Sequence, residues 1–163
     1  MATTPPGDLQ LTPLDGKPCT LDAWLTTFHL AVVILDPYTY ESAWLLKTAG
    51  RILEEFRGAD CRIAFVVTAD ADDAREFLGP WAQNVLTFAD PDRDLVKAIG
   101  INELPAFVHL RQDRSVGALA EGWDPPEWRE ATSALAKAMS WTRPPIPRPG
   151  DPRPYPGSPA LGA

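Results

Sequence analysis

The chain has 163 residues, 45% of them hydrophobic and 23% charged, with six Trp, which suits one globular domain and excludes a wholly disordered chain. Its net charge of −7, from 22 acids and 15 bases, argues against nucleic acid or an anionic membrane as main partner, because both select a basic face. No apolar run is longer than residues 30–35, far short of the ~20 residues a membrane helix needs, so no membrane insertion is expected. The opening Met1-Ala2-Thr3-Thr4-Pro5-Pro6 has neither the basic nor the apolar region of a secretory signal, and the expected location is cytoplasmic.

Residues 1–6 read as a flexible N-terminus. Leu9-Gln10-Leu11-Thr12 alternates apolar and polar, and Asp15-Gly16-Lys17-Pro18 supplies a turn, which predicts a small hairpin. Thr20 is placed to cap a short helix through Leu21, Trp24 and Leu25. Residues 29–35 form a β-branched run that predicts a strand buried on both faces. Asp36-Pro37 offers a cap and a first-turn proline for a long helix whose face is Trp44, Leu45, Thr48, Ala49, Ile52, Leu53 and Phe56.

Residues 63–67 predict a second buried strand, and Asp70, Asp72 and Asp73 favour a helix start before Phe77 and Leu78. A third strand is expected over 85–88, then a helix opened by Asp90-Pro91 and ended by Gly100. Residues 107–110 and 116–119 flank a polar turn and read as an antiparallel hairpin. Asp124-Pro125-Pro126-Glu127 then opens a last helix with Trp128, Leu135 and Met139 inward. Strand–helix–strand units followed by a hairpin and a helix predict an α/β sandwich of three layers, with helices on a mixed central sheet and an N-terminal hairpin.

Eight of the 18 prolines fall in residues 143–163, which carry three Arg against Asp151 and few apolar side chains. That composition predicts a disordered, partly polyproline II tail beyond a domain spanning 7–142. Pro144-Pro145-Ile146-Pro147 also fits a PxxP ligand pattern. The two cysteines, Cys19 and Cys61, lie far apart without a CxxC, so neither a disulfide framework nor a zinc site is expected. Asp90-x-Asp92-x-Asp94 fails as a calcium loop, because the positions for its Gly and final acid hold Leu95 and Ile101. No metal and no cofactor are expected.

Three strings together resemble the thioredoxin superfamily, in its redoxin branch of alkyl hydroperoxide reductase/thiol-specific antioxidant-like proteins. Leu11-Thr12-Pro13-Leu14-Asp15-Gly16-Lys17-Pro18-Cys19-Thr20-Leu21 resembles the redoxin opening hairpin, and Phe88-Ala89-Asp90-Pro91-Asp92-Arg93-Asp94-Leu95 the segment that leads into a helix. Gly100-Ile101-Asn102-Glu103-Leu104-Pro105-Ala106-Phe107-Val108 resembles the string that holds the superfamily's cis-proline, here Leu104-Pro105. The resemblance implies a thioredoxin-like fold with its active site where the first core strand meets the long helix.

At that place the chain reads Asp36-Pro37-Tyr38-Thr39-Tyr40-Glu41-Ser42-Ala43-Trp44. Thr39 and Ser42 keep the family's interval but carry hydroxyls, and Ser42 stands where a peroxidatic cysteine would be. A serine forms neither a disulfide nor a sulfenic acid, and Glu41 opposes developing negative charge, so no catalytic residue is expected at this degenerate site. Ser42 as a hydrolase nucleophile lacks an evident base, because His29 and His109 lie outside any nucleophile elbow. The alternative chemistry is a thiol-dependent peroxidase or oxidoreductase that uses a relocated cysteine, Cys19 or Cys61.

The resemblance also implies a groove beside Leu104-Pro105 that receives an extended peptide as an added strand, lined here by Tyr38, Tyr40 and Trp44. The expected function is therefore a redox-inactive redoxin-like protein that binds a protein or peptide partner, as an accessory or assembly factor. Cysteine-less thioredoxin-like chaperones of hydrogenase maturation are a precedent in the superfamily.

Overall fold

A computed structural model describes residues 2–162. The N-terminal hairpin pairs β1 (Gln10–Pro13) with β2 (Cys19–Thr20), and α1 (Leu21–Trp24) follows. Thr20 caps α1 by accepting from the Ala23 amide at 3.2 Å. Next come β3 (His29–Leu35), α2 (Tyr40–Glu54), β4 (Cys61–Val67), α3 (Ala71–Leu78) and the short α4 (Trp81–Asn84). The chain continues through β5 (Leu86–Ala89), α5 (Asp94–Ile99), β6 (Glu103–Leu104), β7 (Ala106–Leu110), β8 (Val116–Glu121), α6 (Pro125–Met139) and β9 (Ser158–Pro159).

Seven strands form one sheet in the order β2-β1-β5-β4-β3-β7-β8. β3, β4 and β5 run parallel, while β1 and β7 join them antiparallel. The mixed sheet follows from the connections: helices cross between the parallel strands, and a tight turn returns β7 to β8. Alternation along β3 divides the core. Ala31, Val33 and Leu35 face α2, α3 and α6, whereas Leu30, Val32 and Ile34 face α1 and α5. A strand buried on both faces needs six consecutive apolar side chains, which is why this run has no polar position.

Packing corrects the sequence reading at both ends. The N-terminal residues are not free: the Thr3 amide donates to the Ile99 carbonyl at 2.8 Å, and Arg114 holds the Pro5 carbonyl at 2.9 Å. The Pro-rich segment is docked along the body rather than disordered. Ile146 is buried, Arg129 and Arg51 bind the Ile146 and Pro145 carbonyls, and β9 pairs with β6. Prolines suit such a strap because they cost little further backbone entropy and leave their carbonyls free as acceptors. Met1 and Ala163, at the outer limits of these two segments, lie outside the described residues.

One polar pair sits at the margin of the sheet. His29 Nδ1 and His109 Nε2 are 2.9 Å apart, so one ring must donate and the other accept. Burial, with His29 and Arg111 nearby, pushes the His109 pKa down from 6.5 to about 4. The unfolded chain therefore takes up a proton that the fold refuses over that interval. This contribution to stability is complete above pH 6.5 and is lost as pH falls towards 4. In urea unfolding across that range, His109→Gln should show a shallower fall of the midpoint with acid than the parent. Equal slopes would refute the assignment.

Candidate functional site

The site lies where the C-terminal end of β3 turns into α2. The long helix does not start at Asp36-Pro37: Thr39 is its N-cap residue, and α2 begins at Tyr40. Residues 36–39 form a turn instead. Asp36 Oδ1 accepts from the Tyr38 amide at 3.0 Å, and the Thr39 amide donates to the Asp36 carbonyl. An Asp that bonds the backbone two residues on competes with helix start, which explains the shift.

The hydroxyls of Thr39 and Ser42 are both engaged by this turn. Ser42 is fully buried, and its Oγ accepts from the Asp36 amide at 2.9 Å. Thr39 Oγ1 donates to the Asp36 carbonyl at 3.0 Å. The two side chains thus hold the loop in shape. Ser42 does not present an exposed nucleophile, and the two histidines bond each other.

Asp36 is 2% exposed, and a buried carboxylate needs a partner. It has one in Arg93, whose Nη2 lies 2.9 Å from Asp36 Oδ2. Arg93 occupies a left-handed position just before α5, with φ 58°, a conformation uncommon outside glycine and asparagine. Its Nη1 donates to the Ala160 carbonyl at 2.6 Å. Asp90, expected as a helix opener, bonds the Asp94 and Leu95 amides and so anchors the first turn of α5.

The aromatic residues of the expected groove separate. Tyr38 turns to α3 and donates to Asp73 Oδ2 at 2.6 Å, which pushes its pKa up to about 12. It lines an open cleft of about 270 Å³ with Pro37, Asp73, Glu76 and Phe77. Tyr40 and Trp44 instead stack on each other at 6.4 Å on exposed α2, and Trp44 meets Tyr155 edge-on at 5.5 Å.

Leu104-Pro105 is a cis bond between β6 and β7, and Leu104 and Pro105 are buried. The edge of β6 is occupied: Glu103 pairs with Pro159 and Leu104 with Ser158. Within this chain the edge beside the expected groove is thus filled by its own β9. Arg93, Tyr155 and Ala160 belong to the site but were missed by sequence reasoning. The single aromatic residue within the Pro-rich tail was the one local signal that this segment had something to pack against.

The thiols lie elsewhere. Cys61 starts β4 opposite His29, at the far end of the strand pair from Leu35, about 20 Å from the site at strand rise. Burial pushes its thiol up to about 11. Cys19 is exposed on β2, an edge strand of the sheet. Neither thiol stands on the β3–α2 junction that carries Ser42.

No family model matches the chain, and no curated protein matches it. Solved structures do. A putative thioredoxin from Neisseria meningitidis aligns with TM-score 0.65 and 14% identity, over 86% of this chain and 95% of its own. A putative thiol:disulfide interchange protein DsbE from Chlorobium tepidum gives 0.65 and 13%, over 85% and 99%. The bacterioferritin comigratory protein of Xanthomonas campestris, described for alkyl peroxide reduction, gives 0.62 and 18%, over 82% and 91%. Among the described residues, no helix is long and apolar enough to cross a membrane. The chain thus has a thioredoxin-like fold, and the structures it resembles are redoxins of both the thiol–disulfide and the peroxiredoxin kind.

Proposed function

We propose that the chain is a redox-inactive redoxin-like protein that binds an extended segment of a protein partner, in an accessory or assembly role. The observation that carries this reading is the state of positions 39 and 42: both are hydroxyls, and both bond the backbone of Asp36. Thiol chemistry at a helix N-terminus depends on a thiolate that the dipole stabilises. A serine there stays protonated, and Ser42 is fully buried as well. What the fold retains is a strand edge at β6 that accepts extended backbone, and such an edge binds through main-chain hydrogen bonds. A reducing compartment such as the cytoplasm suits the exposed free thiol of Cys19.

The test is NADPH consumption with thioredoxin, thioredoxin reductase and peroxide, comparing the parent with the Cys19→Ser/Cys61→Ser double variant. The expected result is the same background rate for both. Turnover in the parent that disappears in the double variant would overturn the proposal in favour of a relocated thiol.

A further inference from the structure

We infer that residues 152–160 are a resident peptide ligand of the β6 edge, and that a partner segment reaches this edge only by displacing them. The inference rests on the binding reading above and specifies its ligand. The tail makes the contacts a bound peptide would make. Beyond the β6–β9 pairing, the Ala160 amide donates to the Asn102 carbonyl at 2.9 Å. Tyr155 and Trp123 exchange two backbone hydrogen bonds, at 2.8 and 3.0 Å. Trp123 Nε1 donates to the Pro152 carbonyl, Tyr155 OH to the Glu41 carbonyl, and Arg93 to the Ala160 carbonyl. The segment therefore spans the site from the start of α2 to the Asp36–Arg93 pair.

Two glycines let the backbones meet. Gly157 has φ +88°, and a Cβ there would lie 2.6 Å from the Leu104 carbonyl oxygen and 3.1 Å from Gly122 Cα. Gly122 has φ +66°, and its Cβ would lie 2.4 Å from the Pro156 carbonyl oxygen. Any side chain at either position pushes backbone against backbone. The seat thus selects an extended segment with an aromatic residue, glycine two positions later and a small residue three beyond that, as in Tyr155-Pro156-Gly157-Ser158-Pro159-Ala160. Prolines around the glycine lower the ordering cost of such a ligand. Trp44, 58% exposed and already edge-on to Tyr155, extends the aromatic contact to an incoming partner.

A tethered segment acts at an effective concentration on the order of millimolar, so a free peptide meets an edge that is mostly taken. Opening the tail should strengthen its apparent binding by the inverse of the open fraction, roughly tenfold or more. The probe is a fluorescein-labelled peptide copying residues 152–160, titrated by anisotropy into the full-length parent and full-length Gly157→Ala. Expected is an apparent Kd at least about tenfold lower for the variant, and no saturable binding of a control peptide whose glycine is replaced by alanine. Tyr155→Ala, which removes no backbone contact to β6, should shift binding in the same direction.

Amide exchange supplies a readout in the unaltered protein. Tyr155 and Ala160 should exchange through an opening at least about tenfold more frequent than that of Val32 and Val108. Equal peptide affinity in parent and Gly157→Ala, binding of the alanine control, or exchange of the tail at the rate of the core strands would each overturn the inference. Peptide binding as expected, together with Cys-dependent turnover, would remove the redox-inactive reading and leave tail occupancy standing. The reverse pair of results would do the opposite.

Discussion

Arg93→Met is expected to lower stability by about 3–5 kcal/mol, the range for removing one partner of a buried ion pair. The Asp36 carboxylate is 2% exposed and has Arg93 as its salt-bridge partner at 2.9 Å. Without it the carboxylate keeps its bond from the Tyr38 amide but loses its countercharge. Met fills much of the volume of the Arg stem, so the loss reports charge rather than a cavity. Urea unfolding should show a midpoint shifted down at unchanged slope. The double variant Asp36→Asn/Arg93→Met should recover at least half the loss, because a neutral amide can still accept from Tyr38. A single-variant loss under about 1 kcal/mol, the size of an exposed pair, would show that the pair does not hold the loop. The Ala160 carbonyl loses its Arg93 donor as well, so the variant should also loosen the end of the tail.

Trp128→Ala should be of similar size, about 3–5 kcal/mol. Trp128 is fully buried on α6, with its ring 5.3 Å from Trp123 and 5.9 Å from Phe107. Its Nε1 donates to the Gly122 carbonyl at 2.7 Å, and that acceptor would be left buried without its donor, at a further cost of roughly 1–3 kcal/mol. For a domain whose total stability is about 5–15 kcal/mol, such a variant stands close to unfolding. Trp128→Phe keeps most of the packing and should lie between the two. Trp44→Ala, on an exposed ring, is the control and should change stability by less than about 1 kcal/mol. A Trp128→Ala loss no greater than that of Trp44→Ala would contradict the packing described. Because Gly122 and Trp123 also carry the tail, amide exchange at Tyr155 should rise in Trp128→Ala even at temperatures where the core stays folded.

How much of the site could be read in advance depends on the range of the interaction. The junction of β3 and α2 that carries Thr39 and Ser42 was legible, because it is marked by a local change from a β-branched run to a helical period. Their role in holding the turn was not legible. It arises because Asp36 bonds the Tyr38 amide, delays the helix by three residues and turns both hydroxyls onto its own backbone. Arg93 was not singled out. Nothing adjacent in sequence signals a countercharge, since Asp36 is 57 residues away.

The tail shows the same limit more plainly. Its composition predicts disorder because it holds too few apolar side chains to build a core of its own. That inference is sound for a segment on its own and fails for one laid across an existing body. Here the body supplies the donors: Arg51, Arg93, Trp123 and Arg129 each bind a tail carbonyl. Asp151 returns the contact to Thr48 and Arg51.

By itself the sequence determined the alternating elements, the mixed sheet with a helix layer on each face, and the absence of a thiol at position 42. All three depend on periodicity, capping and residue identity, which act within a few positions along the chain. Only the tertiary structure decided that the β6 edge is occupied, that Tyr38 leaves the groove while Trp44 joins Tyr155, and that Asp36 is paired with Arg93. Those outcomes depend on which carbonyls, glycines, rings and charges the fold brings together, and residues 35 to 111 positions apart carry no local mark of that meeting.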